Sequence, residues 1–270
     1  MDVAMENGAV GGRPERVALL GGFRLTTGHA TALDLPRGVQ RLIAYLSLAQ
    51  RPARAAVAGR LWPDVSEEQA NGSLRSTLWR AHRVAPGLIQ PSGGALSLAP
   101  GVRVDVREAV GWARAVLSGR RDAVPGSPAD DVLTAELLPG WYDDWVLLER
   151  ERFRQLRLHA MDALAEALRG QGRHGEAIEA AYAAVRAEPL RESAHRALVR
   201  VHLAEGNPVE ALRVYDAFRQ SLHDELGVPP SLAMQALVAE ARLPRSGRTV
   251  VAFAPVRPTG GRLPEALPSR

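Results

Sequence analysis

The second half of this sequence repeats itself at a spacing of 34 residues, which leaves few architectures open to it. Gly175-Glu176-Ala177 returns as Val209-Glu210-Ala211, Gly172 returns as Gly206, and Leu164 returns as Leu198. This is the period of paired helices joined by tight turns, with the repeated glycine in the turn. One such pair cannot bury its apolar face alone, so neighbours must stack. The texture from Val104 onwards agrees, being rich in Ala, Leu, Arg and Glu at helical spacing. Gly227–Pro230 (GVPP) stops the last long helix, and Ser231–Arg242 suits a cap for the array. The expectation is two and a half tetratricopeptide-like pairs, forming a curved platform for contact with a protein or a ligand.

The front of the chain reads differently. Val17–Leu25 (VALLGGFRL) and Thr31–Leu35 predict a small β-sheet, with a turn over Thr26–Ala30. Pro36 suits the first turn of a helix over Arg37–Gln50, and Arg51-Pro52 ends it. A shorter helix is predicted over Arg54–Leu61, closed by Trp62-Pro63-Asp64, with Trp62 plugging the gap to the next helix. After a third helix, Leu88–Gln90 and Ala95–Leu98 flank a Gly-rich turn and predict a hairpin. Sheet, three helices and hairpin in this order describe a winged helix-turn-helix, whose third helix enters a major groove.

That third helix, Ser66 to Val84, carries the most telling surface. Ser66 and Gln69 stand in the relation of a capping box, and Glu67 and Glu68 suit the positive end of the helix dipole. Ala70, Leu74, Thr77, Leu78, Ala81 and Val84 share an apolar face. Gly72, Arg75, Ser76, Trp79, Arg80 and Arg83 share another, without a carboxylate among them. Exposed helices usually mix charges, because opposite signs four residues apart stabilise them. An arginine face without partners points to partners supplied from outside, and phosphates and guanine edges fit. A solvated arginine face is the alternative. Trp79 lies between the two faces, placed either to reach DNA or to pack under the wing.

Charge distribution sharpens this reading. Residues 1–103 hold 12 arginines against 7 carboxylates, residues 104–245 hold 18 against 22, and the remainder holds 4 against 1. The basic surplus sits with the third helix, which suggests an anionic partner for the front and a different one for the middle. All 34 basic residues are arginine, so Schiff-base and P-loop lysine chemistry is excluded. No cysteine occurs, which excludes disulfides and thiolate ligands. No apolar run reaches the roughly 20 residues of a membrane span, and no signal peptide is recognisable, so a cytoplasmic location is expected.

Other candidate sites are weaker. The seven histidines are scattered, and Glu192-x-x-His195 has metal-ligand spacing but occurs once. Gly170–Gly175 looks like a phosphate loop but follows a helix rather than a strand, and the repeat explains it as a turn. No catalytic, metal or cofactor residues are assigned, and an enzyme is not expected. Trp141, Tyr142 and Trp145 form an aromatic cluster read as core where two helices meet, with a partner-binding patch as the alternative.

Longer motifs carry a family resemblance. Leu20-Gly21-Gly22-Phe23, Gln40–Leu46 (QRLIAYL), Leu61-Trp62-Pro63-Asp64 and Leu74–Arg80 (LRSTLWR) resemble the DNA-binding domain of the Streptomyces antibiotic regulatory proteins, a winged-helix class related to OmpR-type regulators. Leu138–Trp145 (LPGWYDDW), Glu149–Arg152 and Asp224–Pro230 (DELGVPP) resemble the bacterial transcriptional activator domain. The resemblance is to small, stand-alone members and covers roughly residues 16–242. It implies a mainly α protein divided into a tail over 1–15, a winged helix-turn-helix with a small β-sheet and wing over 16–103, a tetratricopeptide-like domain over 104–242 and a tail over 243–270, both tails expected to be disordered.

The resemblance further implies a transcriptional activator of a secondary-metabolite gene cluster. Such a protein binds direct repeats near the −35 element of double-stranded promoter DNA, as a homodimer, and recruits RNA polymerase holoenzyme. Arg75, Ser76 and Trp79 fall where base-facing positions lie, and Ser73, Arg80 and Arg83 where phosphate contacts lie. In the wing, Gly94-Ala95-Leu96-Ser97-Leu98 stands where many members carry Gly-Tyr-Arg-Leu, so a wing arginine is missing. A helical-repeat adaptor with a non-reading winged domain and a DNA-binding repressor are the alternatives.

Overall fold

The computed structural model describes residues 15–27, 30–31, 35–120 and 134–242. The expectations for both tails lie outside the described residues. A four-stranded sheet opens the fold, built from β1 (Arg16–Ala18), β2 (Arg24–Thr27), β3 (Ala30–Thr31) and β6 (Arg103–Val104), in the order β3-β2-β1-β6. β1 pairs antiparallel with β2 and parallel with β6. Thr26 and Thr27, expected in a turn, are paired strand residues opposite Thr31 and Ala30.

Three helices follow: α1 (Arg37–Leu48), α2 (Arg54–Leu61) and α3 (Glu67–Val84). Pro36 precedes α1, where its fixed φ and missing amide cost nothing. The wing is an antiparallel hairpin of β4 (Ile89–Ser92) and β5 (Ala95–Leu98). Gly93 and Gly94, at φ 58° and 80°, supply the two left-handed residues that a tight hairpin of matching twist requires. Pro91 is tolerated because β4 is an edge strand, whereas β5 is flanked on its other side by an Ala53–Ala95 bridge.

The helical half comprises α4 (Asp105–Leu117), α5 (Asp144–Gly170), α6 (His174–Ala187), α7 (Glu192–Glu205), α8 (Pro208–Leu226) and α9 (Leu232–Arg242). The 34-residue repeat appears here as equivalent geometry. Gly172 and Gly206 both occupy the left-handed region, at φ 74° and 90°, in the turns before α6 and α8. Ala177 and Ala211 are fully buried, and Leu164 and Leu198 nearly so. The ion pairs do not follow the repeat, since Glu176 pairs with Arg173 before it and Glu210 with Arg213 after it.

The apolar core does not stop where the winged helix ends. One cluster joins Val17, Leu42, Leu74 and Leu96 of the front to Val106, Leu137, Leu138, Trp141, Trp145 and Phe153. Three further clusters run through the helical half, one of them bringing Val116 of α4 against Leu164 and Leu198, another closing the array with Phe218, Met234 and Val238.

Candidate nucleic-acid interface

α3 positions the arginine face. Ser66 Oγ accepts the Gln69 amide at 3.4 Å, while the return bond of the capping box is absent, so one half of that motif forms. Ala70, Leu74, Thr77 and Ala81 are buried and Leu78 half-buried, leaving the other side of the helix to solvent. Val84 departs from the expected apolar face and is 38% exposed. The chain leaves helical geometry at Ala85, and Ala85 takes the buried position under the wing instead.

On the open side, Arg75, Ser76, Trp79, Arg80 and Arg83 are exposed, and Ser73 is half-buried. Arg75 and Arg80 make no hydrogen bond or ion pair among the described residues. Trp79 is 60% exposed, so it does not pack under the wing. The Arg83 guanidinium lies 4.9 Å from its ring centroid, within cation–π range. α3 thus presents charge and a flat aromatic surface together, the two features that phosphates and bases engage.

A cation beside the wing escaped the sequence reading. Arg51 adopts φ 51°, a left-handed conformation that non-glycine residues occupy at a cost of order 1–3 kcal/mol. Its guanidinium donates to Ser92 Oγ at 2.8 Å, which sets it along β4 near the hairpin turn. The main chain just beyond is tied to the wing as well, with Arg54 N donating to Gly94 O at 3.0 Å and Leu96 N to Pro52 O at 3.0 Å. Arg51-Pro52, read only as a helix stop, therefore carries a cationic side chain to the wing, beside Ser92.

Several arginines at the joint are engaged within the chain. Arg41 pairs with Asp143 at 2.5 Å, and Arg37 lies 3.5 Å above the Trp141 ring. Arg107 donates to Ser47 O and Leu46 O at 2.7 Å, capping the end of α1, and its burial lowers its pKa. Arg150 donates to the carbonyls of Leu137, Leu138 and Trp141. Arg157 donates to Ala135 O at 2.8 Å and has its pKa lowered, first by burial and then by Arg154. Asp105, buried, accepts the amides of Leu19, Leu20 and Val106 at 2.6–3.0 Å. Leu138 N donates to Leu19 O, and Gly21 N to Glu136 O, each at 2.9 Å, so the second half adds backbone pairing next to the first sheet.

The aromatic cluster divides. Trp141 stacks on Phe23 at 6.1 Å and Trp145 meets Tyr45 edge-on at 5.3 Å, both in the joint between the halves. Tyr142 is a correction to the core reading: it is 79% exposed, because Gly140 turns the chain and alternate residues of the segment then face opposite ways. Trp62 is half-buried against the core, as a plug at the end of α2. His195 stacks on Phe218 at 4.1 Å and contacts Pro189 O at 2.8 Å through Nε2, and burial pushes its pKa down. Gly170–Gly175 spans the turn from α5 to α6. No helix among the described residues is long and apolar enough to cross a membrane.

The architecture is a winged helix with an open arginine face, fused through a shared core to stacked helix pairs. Comparison with known proteins agrees. The model of the bacterial transcriptional activator domain matches residues 111–242. The regulatory protein AfsR of Streptomyces coelicolor is 32% identical over 239 residues, which are 82% of this chain and 24% of that protein. The chain therefore spans about a quarter of the length of this curated relative. Mycobacterium tuberculosis EmbR, solved in complex with a low-affinity phosphopeptide, shares the fold with a TM-score of 0.63 at 19% identity, over 84% of this chain and 65% of that one. Residues 111–242 are thus a bacterial transcriptional activator domain, and the matches agree with the resemblance to the Streptomyces antibiotic regulatory proteins.

Proposed function

We propose that this protein is a cytoplasmic, sequence-specific DNA-binding activator of a secondary-metabolite gene cluster. Residues 16–103 act as the DNA-binding unit, with Arg75, Ser76 and Trp79 facing bases and Ser73, Arg80 and Arg83 facing phosphates. Arg51 supplies the cation on the wing side. Residues 104–242 serve dimerisation on direct repeats near the −35 element and contact with RNA polymerase holoenzyme. The observation that carries this reading is the solvent face of α3, where Arg75, Arg80 and Arg83 are exposed without an ion-pair partner among the described residues.

The test is to sequence the genomic fragments that the purified protein retains at physiological salt, and to repeat the selection with Arg75→Ala. The wild-type protein should enrich a short direct repeat at promoter −35 positions. Arg75→Ala should lose discrimination at one base pair of it, at a cost of about 1–3 kcal/mol. Equal retention of all fragments by the wild-type protein would reduce the face to a non-specific electrostatic surface.

A further inference from the structure

We propose that a cavity at the joint between the two halves binds a small organic anion with an apolar body. The cavity measures about 690 Å³, within the roughly 300–1,000 Å³ typical of small-molecule sites. Leu48 of α1, Val110 of α4, and Phe153 and Leu156 of α5 give it apolar walls, with Leu137 behind them. Three arginines, Arg107, Arg114 and Arg152, also line it, against the single acidic residue Glu149. Arg107 is held by the carbonyls of Leu46 and Ser47. Arg152 reaches Glu149 at 3.4 Å, a loose contact. Arg114 is exposed and makes no hydrogen bond or ion pair among the described residues. An apolar hollow with surplus positive charge along its wall selects a ligand that combines a hydrophobic ring or chain with one carboxylate, sulfonate or phosphate.

Gly111 stands on the rim of the same space. It sits in the middle of α4, where glycine is less stable than alanine by roughly 0.5–1 kcal/mol. It lines the cavity, and a Cβ built on it meets no atom within 4 Å. A larger side chain at this position would therefore extend into the cavity without a clash. A molecule seated here touches α1 of the winged unit and α4 and α5 of the helical unit together. Its binding free energy would then favour one setting of the two units over others.

The test is a fluorescence titration of the full chain with 8-anilinonaphthalene-1-sulfonate, an anion with an apolar body whose emission rises in dry surroundings. The wild-type chain should bind one equivalent saturably. Arg114→Ala should weaken binding about tenfold, the size expected for losing one charge-assisted contact. Gly111→Leu, which suits a helix better than glycine and fills the hollow, should abolish it. Arg213→Ala, remote on α8, should titrate like the wild type. Absence of saturable binding, or coincident curves for all four proteins, overturns the proposal. Loss with Gly111→Leu but not with Arg114→Ala overturns the assignment of an anion. None of these readouts involves DNA, so they fail or succeed independently of the proposed promoter binding.

Discussion

Two sets of arginines in this molecule have opposite surroundings. At the joint, Arg41, Arg107, Arg150 and Arg157 are held by carbonyls and carboxylates within the chain. On α3, Arg75 and Arg80 have no partner among the described residues, and Arg83 has only the Trp79 ring. The side chain is the same, so its environment decides its use. A guanidinium removed from water must find acceptors inside the protein, and there it fixes geometry. One left in water on a face without carboxylates keeps its donors for a partner that arrives later. The joint arginines therefore belong to stability, and the α3 arginines are left free for the binding proposed above.

The division predicts a graded series of effects. Asp105→Ala should be the most damaging, because it strands three amides around a buried position. A loss of about 3 kcal/mol in urea unfolding is expected, and a loss below about 1 kcal/mol would mean that water replaces the carboxylate. Arg150→Ala should cost about 2 kcal/mol, leave three carbonyls of the 137–141 turn short of a donor, and leave the intrinsic DNA contacts of α3 untouched. An Arg150→Ala protein of wild-type stability would break the distinction between the two sets.

Arg80→Ala should do the reverse. Its stability should stay within about 0.5 kcal/mol of wild type, while the slope of log affinity against log salt on promoter DNA falls by about 1. An unchanged slope would remove Arg80 from the phosphate contacts. Arg51→Gly should relieve the left-handed strain and so raise stability slightly, yet weaken DNA binding at low salt. If it weakens neither specific nor random DNA binding, the wing side has no cationic contact there. Arg213→Ala should change least. Its exposed pair with Glu210 contributes only about 0.3–0.5 kcal/mol, and DNA affinity should not move.

Local periodicity made much of the fold legible in advance. α3 shows its faces because a helix brings every third or fourth residue to one side, so Ala70, Leu74, Thr77 and Ala81 had to be buried together or exposed together. The repeat was legible for the same reason, and the glycine turns at 172 and 206 mark it. Val84 was misplaced because the helix ends there, and a period cannot say where its neighbours stop covering it. Tyr142 was misplaced because aromatic residues adjacent in sequence need not share a side once a turn intervenes.

The joint was not legible from the pattern of residues. Asp105 receives amides from residues more than 80 positions earlier, and Arg41 finds Asp143 across a comparable gap. Nothing in the local spacing of an Arg or an Asp announces such a partner. Arg51 was hidden likewise, since its role depends on a wing strand that pairing folds back beside it.

The sequence by itself thus determined the winged and repeating units, the arginine face of α3 and the turns that connect the helices. These follow from helix and hairpin geometry acting over a few residues. Only the tertiary structure decided which arginines are occupied and which are free, that one core runs through both halves, and that a cavity remains where they meet. Those features depend on desolvation, and whether a group loses its water is fixed by distant segments once they have packed against it.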